Sequence, residues 1–191
     1  MAAYRILGFI GFIFSAIAAA LGTMILFALV AFIPWFISII IRGPSWILLS
    51  VTTKKKLYFV TGILVIILGP FSVAFIFAFT TASGMQGPLT FQLVALLWGI
   101  YSFFEFLSYI SIKLIFFRIA SVNIISIILM NFAVIYFSDP KTIIKDPGGY
   151  FIFVAFIIMV ISAICAAIGF FKFTVKEAKP EIKYAVPPPP Y

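Results

Sequence analysis

The chain has 191 residues, 65% of them hydrophobic and only 9% charged, with a formal net charge of +8 and a mean hydropathy of +1.29. A soluble domain carries roughly 45–50% apolar and about 25% charged residues, so this chain is too poor in polar groups to coat a water-soluble globule, and a bilayer is its expected solvent. With no histidine and a single cysteine, Cys165, histidine-ligated haem, most zinc and copper chemistry, Ser-His or Cys-His nucleophile pairs and an internal disulfide are all excluded.

Segments that cross hydrocarbon are helices or closed barrels, because an unpaired backbone group there is too costly. A barrel shows alternating apolar and polar residues in stretches of ~10. Here the runs are unbroken, as between Phe151 and Phe171. The fold class expected is an all-α integral membrane protein, a polytopic transmembrane helix bundle of about five spans within a range of four to six.

The first apolar stretch, Ile6 to Ile41, is longer than the ~20 residues one crossing needs and short for two helices and a turn. No polar turn interrupts it. It reads as one long helix over 7–33 ended or kinked by Pro34, followed by an interfacial segment over 34–52 that holds Trp35, Trp46 and Gly43-Pro44, since tryptophan favours headgroup level. The competing reading is a tight hairpin turning near Ala20-Leu21-Gly22. Lys54-Lys55-Lys56 then ends the run. A second span is expected over 57–80, with Gly69-Pro70 as a kink, and an uncharged turn over 81–88. The third covers 89–112, the fourth 119–137 and the fifth 150–173, the last two separated by a polar loop that holds Asp139-Pro140 and Asp146-Pro147. Residues 176–191 are charged and then proline-rich, an extended tail.

Orientation follows from the basic residues. A cytoplasmic tail puts Arg42, Lys54, Lys55, Lys56, Lys113, Arg118, Lys172, Lys176, Lys179 and Lys183 on one side and leaves Arg5, Lys141 and Lys145 on the other, the bias of the positive-inside rule. With five spans the N-terminus is outside. The first apolar run is far longer than the h-region of a cleavable signal peptide, so none is expected, and the location read is the plasma membrane. The positive charge suits anionic headgroups; no basic stripe outside the spans carries the interleaved aromatics that nucleic acid calls for.

Glu105 is the only acid within an expected span, with Tyr101 and Ser102 one turn before it, Ser108 and Tyr109 one turn after, and Trp98 two turns up. A carboxylate in hydrocarbon turns to the bundle interior and is paired or protonated. This makes Glu105 with Tyr101, Ser102, Ser108 and Tyr109 the candidate intramembrane polar site. The plainer account is an ion pair with Lys113, about 80° round the helix, or with Arg118. Asn123 and Ser126 share a face of the fourth helix from which they could hydrogen-bond to this stripe, and Asn131 follows.

Two helix faces carry small residues four or so apart: Gly11, Ser15, Ala19 and Thr23, with Gly8, Ala18 and Gly22 beside them, and Ala155, Ser162, Ala166 and Gly169, where Cys165 packs as a small apolar residue. Such faces let another backbone approach, in a partner subunit or within the same bundle. The tail motif Pro188, Pro189 and Tyr191 fits the Pro-Pro-x-Tyr pattern of a WW-domain ligand. There is no GxxxxGK[ST] or GxGxxG, and no cofactor or metal is expected.

These features rank three functions. The first is a non-catalytic multi-pass subunit or scaffold of a larger membrane assembly, in contact with lipid, with membrane-protein partners or copies of itself, and with a cytoplasmic partner of the tail. The second is a small transporter or channel that uses Glu105. The third is a membrane subunit of a redox or quinone-handling enzyme whose cofactors sit on partner chains.

Overall fold

A computed structural model describes residues 2–23, 28–81, 88–136 and 147–175. These form seven helices and, among the described residues, no strand: α1 (Ala3–Gly22), α2 (Ala28–Thr53), α3 (Lys56–Thr81), α4 (Pro88–Ile110), the short α5 (Ile115–Ala120), α6 (Asn123–Tyr136) and α7 (Pro147–Lys172). Four stretches are long and apolar enough to cross a membrane: Ala3–Gly22, Val30–Thr53, Ile115–Ala133 across the α5–α6 junction, and Gly149–Lys172. Large apolar side chains point outward from every long helix, among them Ile17, Ile33, Phe71, Phe103, Ile128 and Ile161. The outer surface is therefore apolar and the buried polar groups lie inside, the pattern of a helical membrane protein.

The first fifty residues depart from the expected single helix over 7–33 and interfacial segment over 34–52. The chain leaves the helix after Gly22, where the Thr23 hydroxyl donates to the Ala20 carbonyl at 2.6 Å. It then runs as one helix from Ala28 to Thr53, straight through Pro34 and Pro44. The hairpin is the arrangement found. Proline is borne inside an apolar helix when neighbouring helices and hydroxyl side chains answer the backbone groups it frees. Trp46 is fully buried, and Trp35 packs ring to ring with Trp98 at 5.3 Å.

Successive helices pack antiparallel, and the ring closes: α1 on α2, α2 on α3, α3 on α4, α4 on α6, α6 on α7, and α7 back on α1. The α2–α3 turn is two residues long and places Lys54 in the left-handed region at φ 57°. Thr61 of α3 shares a hydrogen bond with Ser108 of α4 at 2.8 Å, and Tyr58 with Ser111 at 2.8 Å. The α5–α6 break leaves the Ala120 carbonyl without its helical donor, and the buried Ser162 hydroxyl of α7 donates to it. At the closing seam Arg5 donates to the Phe171 carbonyl near the end of α7, and Tyr4 to the Phe173 carbonyl at 3.3 Å, meeting acceptors that a helix C-terminus leaves open.

Arg5 therefore lies at the same end of the bundle as Lys172, not opposite it. Lys54, Lys55 and Lys113 sit at that end too, in the α2–α3 and α4–α5 connections, with Lys56 opening α3 and Arg118 in the short α5. Arg42 does not belong with them, for it is buried inside the bundle at 5% exposure. The loop around 138–146, the turn at 82–87 and the tail motif Pro188, Pro189 and Tyr191 lie outside the described residues.

Side-chain size sets how close the helices come. Gly43 and Gly62 face each other across α2 and α3: a Cβ built on Gly62 would stand 2.7 Å from the Gly43 carbonyl oxygen and 3.0 Å from the Ile47 nitrogen. Those atoms are backbone and yield only if the helices part. Overfilling a packed site typically costs about 1–3 kcal/mol. Gly62→Ala is expected to lower stability by about that much in thermal or denaturant unfolding of the detergent-solubilised protein. Gly99→Ala, whose Cβ would meet its nearest neighbours at 3.9 Å, is expected to leave it unchanged or raise it slightly.

Candidate functional site

Glu105 projects from α4 into the bundle with its side chain 1% exposed, and its partner is Arg42 of α2, Nε to Oε1 3.2 Å. The same carboxylate oxygen accepts from the Trp46 indole N–H at 3.1 Å. The pairing expected with Lys113 or Arg118 does not form, because α2 runs through the bundle and carries a cation to the level of Glu105. Around the guanidinium lie the Phe12 ring at 5.1 Å and the Tyr101 ring at 5.9 Å, and its Nη1 is 3.4 Å from the Ser15 hydroxyl. Flat, weakly hydrated guanidinium suits such stacked surroundings better than an ammonium group does.

The α4 residues read together from sequence go to different places. Ser102 and Tyr109 face the same interior space as Glu105. Tyr101 is buried beside Ile39 and Val65. Ser108 turns to Thr61 in the α3–α4 seam. Tyr109 is in ring contact with Phe12, Trp46 and Phe117. Asn123 and Ser126 do not reach the Glu105 stripe by hydrogen bond; the Ser126 hydroxyl bonds back to the Asn123 carbonyl and side-chain oxygen at 2.6 and 2.9 Å. Asn131 donates to the Ile127 carbonyl within its own helix.

The small-residue faces are used inside the bundle. Gly11 lies against the Arg42 backbone and Gly8 against the Phe170 ring, while Ser15 and Ala19 face the interior space. Thr23 ends α1. Ser162 closes the α5–α6 break, and Ala166 is fully buried in the aromatic core with Cys165 packed beside it. Five residues that the sequence places in other roles complete the site: Ser15 and Ser162 from the small-residue faces, Trp35 and Trp46 from the expected interfacial segment, and Arg42 from the expected cytoplasmic side. Only Arg42 left a signal, as a lone cation inside an apolar run on a chain whose described residues include one acid.

Between α1, α2, α4, α6 and α7 lies a cavity of about 340 Å³, lined by Ser15, Arg42, Ser102, Glu105, Asn123 and Ser162 among apolar residues that include Phe32, Trp35, Trp98, Phe156 and Met159. Its size is at the small end of the ~300–1,000 Å³ usual for ligand sites, and a mostly apolar wall with a few convergent polar groups is their usual make-up. Toward the basic end it is closed by a tight aromatic cluster, in which Phe170 meets Trp46 at 5.0 Å and Phe117 at 5.2 Å, both edge-on, and stacks on Phe12 at 5.5 Å. In the other direction the lining reaches Gly22 and Ala31, beside the α1–α2 connection.

Compared with models of known protein families, with curated proteins and with solved structures, the chain finds no match.

A buried ion pair that loses one partner typically costs about 3–5 kcal/mol, whereas replacing both by apolar residues of similar size is often neutral. Glu105→Leu is accordingly expected to destabilise the bundle by about that amount. Adding Arg42→Met to it should recover most of the loss. Unfolding of the two single variants and the double variant in mixed micelles measures the coupling; strictly additive effects would mean that the two charges do not act as a pair.

Proposed function

We propose that this chain is a six-crossing membrane protein of the small-transporter type, which binds a small molecule in an intramembrane cavity at Arg42 and Glu105. The observation that carries the reading is the cavity itself: a buried ion pair and an unpartnered buried hydroxyl, Ser102, face a mainly apolar space large enough for a ligand. A purely structural pair has no need of a cavity on its flank. Charged groups at such depth are costly, and where they line a space they mark substrate or ion pathways.

Six antiparallel helical segments, with α5 and α6 acting as one, support six crossings; among the described residues four of them are long and apolar enough to span. Both chain ends then lie on one side. That side carries Arg5, Lys54, Lys55, Lys56, Lys113, Arg118 and Lys172 and is read as cytoplasmic by the positive-inside rule, with the plasma membrane as the bilayer in question. The aromatic cluster around Phe170 makes the cavity's floor on the cytoplasmic side, and entry is from the opposite side. A thick barrier on one side of a midplane site and access on the other is the arrangement that alternating access requires.

A second reading, a non-catalytic subunit or scaffold of a larger assembly, draws on the tail motif Pro188, Pro189 and Tyr191. The small-residue face of α1 no longer favours it, since that face is occupied within the bundle. Loss of a cytoplasmic partner on removal of residues 184–191 would support it.

Single-cysteine labelling in sealed vesicles tests the first reading without a known substrate, in a Cys165→Ser background. Lys54→Cys is expected to react with a membrane-impermeant maleimide from the cytoplasmic side only, and Lys141→Cys from the opposite side only. Ser102→Cys is expected to react from the side of Lys141. Labelling of Ser102→Cys from neither side would sink the site reading, and reaction of both loop cysteines from one side would sink the six-crossing topology.

A further inference from the structure

The cavity's polar groups are arranged so that they also specify a class of ligand, an inference that rests on the cavity being a binding site. Its wall has two parts. At one end stand Arg42, Glu105 and Ser102; the space beyond is walled by the Trp35–Trp98 pair, Phe32 and Phe156. An occupant must be amphipathic to match both.

The polar end is unfinished in a particular way. Oε1 of Glu105 accepts the Trp46 N–H and lies 3.2 Å from Arg42 Nε, whose own N–H finds no hydrogen-bond partner among the described residues. The Ser102 hydroxyl is 3% exposed and has no hydrogen-bond partner among the described residues. A buried polar atom left without a partner is costly, so a ligand head that accepts from Arg42, donates to the carboxylate and engages the hydroxyl supplies partners that the protein itself does not. The head must therefore carry a donor and an acceptor together.

Charge narrows the class further. Arg42 and Glu105 sum to no net charge, and they stand 3.2 Å apart. An anionic head near the guanidinium meets the carboxylate almost as closely, and a cationic head meets the reverse. In a medium of low polarity neither attraction is large enough to replace the lost hydration of a net charge. A neutral head incurs no such loss.

We propose that the cavity takes a small amphipathic molecule with a net-neutral head that both donates and accepts hydrogen bonds, such as a carboxamide, and a flat aromatic body laid against Trp35 and Trp98. Glu105 and Ser102 hold the head, and Arg42 fixes the carboxylate.

Four probes with the same body test this by equilibrium dialysis against the full chain in nanodiscs, with empty nanodiscs as the reference for partition into lipid: 1-naphthaleneacetamide, 1-naphthaleneacetate, 1-naphthylmethylammonium and 1-methylnaphthalene. The amide is expected to bind at least about tenfold more tightly than either charged probe and several-fold more tightly than the headless one. Ser102→Ala should weaken the amide several-fold and leave 1-methylnaphthalene unchanged. Glu105→Gln, which keeps the shape but leaves Arg42 unbalanced, should reverse the order so that the acetate binds better than the amide; a merely structural carboxylate would give no such reversal. An acetate or ammonium probe that matches the amide on the unsubstituted protein overturns the proposed class and leaves the site standing. A headless probe that equals the amide does the same. Binding of none of the four above the empty discs overturns the class and counts against the site itself, which the labelling of Ser102→Cys tests separately.

Discussion

An arginine and a glutamate held away from water inside an apolar bundle are tolerable only together. Either alone would be an uncompensated charge among aromatic and aliphatic side chains. Their contact, 3.2 Å between α2 and α4, therefore ties two helices that are not neighbours in sequence, and other features follow from it. Trp46 turns its N–H inward to the carboxylate, which places the indole at the centre of the aromatic cluster. Phe12 and Tyr101 present ring faces to the guanidinium. Gly11 has no side chain because the Arg42 backbone passes against it.

Around that pair the bundle is held by means suited to an apolar solvent. Hydrophobic burial gives helices little reason to associate in lipid, so packing and hydrogen bonds between helices decide. Glycines bring α2 and α3 into backbone contact at Gly43 and Gly62. Hydroxyls bridge α3 to α4 at Thr61 and Ser108, and α7 to the α5–α6 break at Ser162. Arginine and tyrosine from the start of α1 meet carbonyls near the end of α7 and close the ring. The cavity is what this ring leaves at its centre where α1 presents Ser15, Ala18, Ala19 and Gly22 in place of large side chains, and the proposed binding role is the use made of that space beside a buried ion pair.

Much of this was legible in the chain and some was not, for identifiable reasons. The helical, bilayer-suited character follows from unbroken apolar runs. Glu105 stood out as the one acid within them. Its partner was misassigned because Arg42, followed by Gly43-Pro44, looks like the polar end of a span, and because Pro34 and Pro44 look like breakers. In an apolar interior neither proline stops α2, since a chain with no water to turn to keeps every other backbone hydrogen bond. The break that does occur, after Gly22, carries no charge and hardly any polarity, so composition offered it only as the competing reading.

The sequence by itself determined the class of solvent, the helical state and the presence of an isolated carboxylate that had to be answered, because hydropathy and the cost of a bare charge are properties of the residues alone. The tertiary structure decided which cation answers it, which serines face a cavity and which seal helix seams, and that the small-residue face of α1 turns inward. Those are matters of which helix lies beside which, and one residue more or less in a turn changes the neighbours of a whole helix without altering its composition.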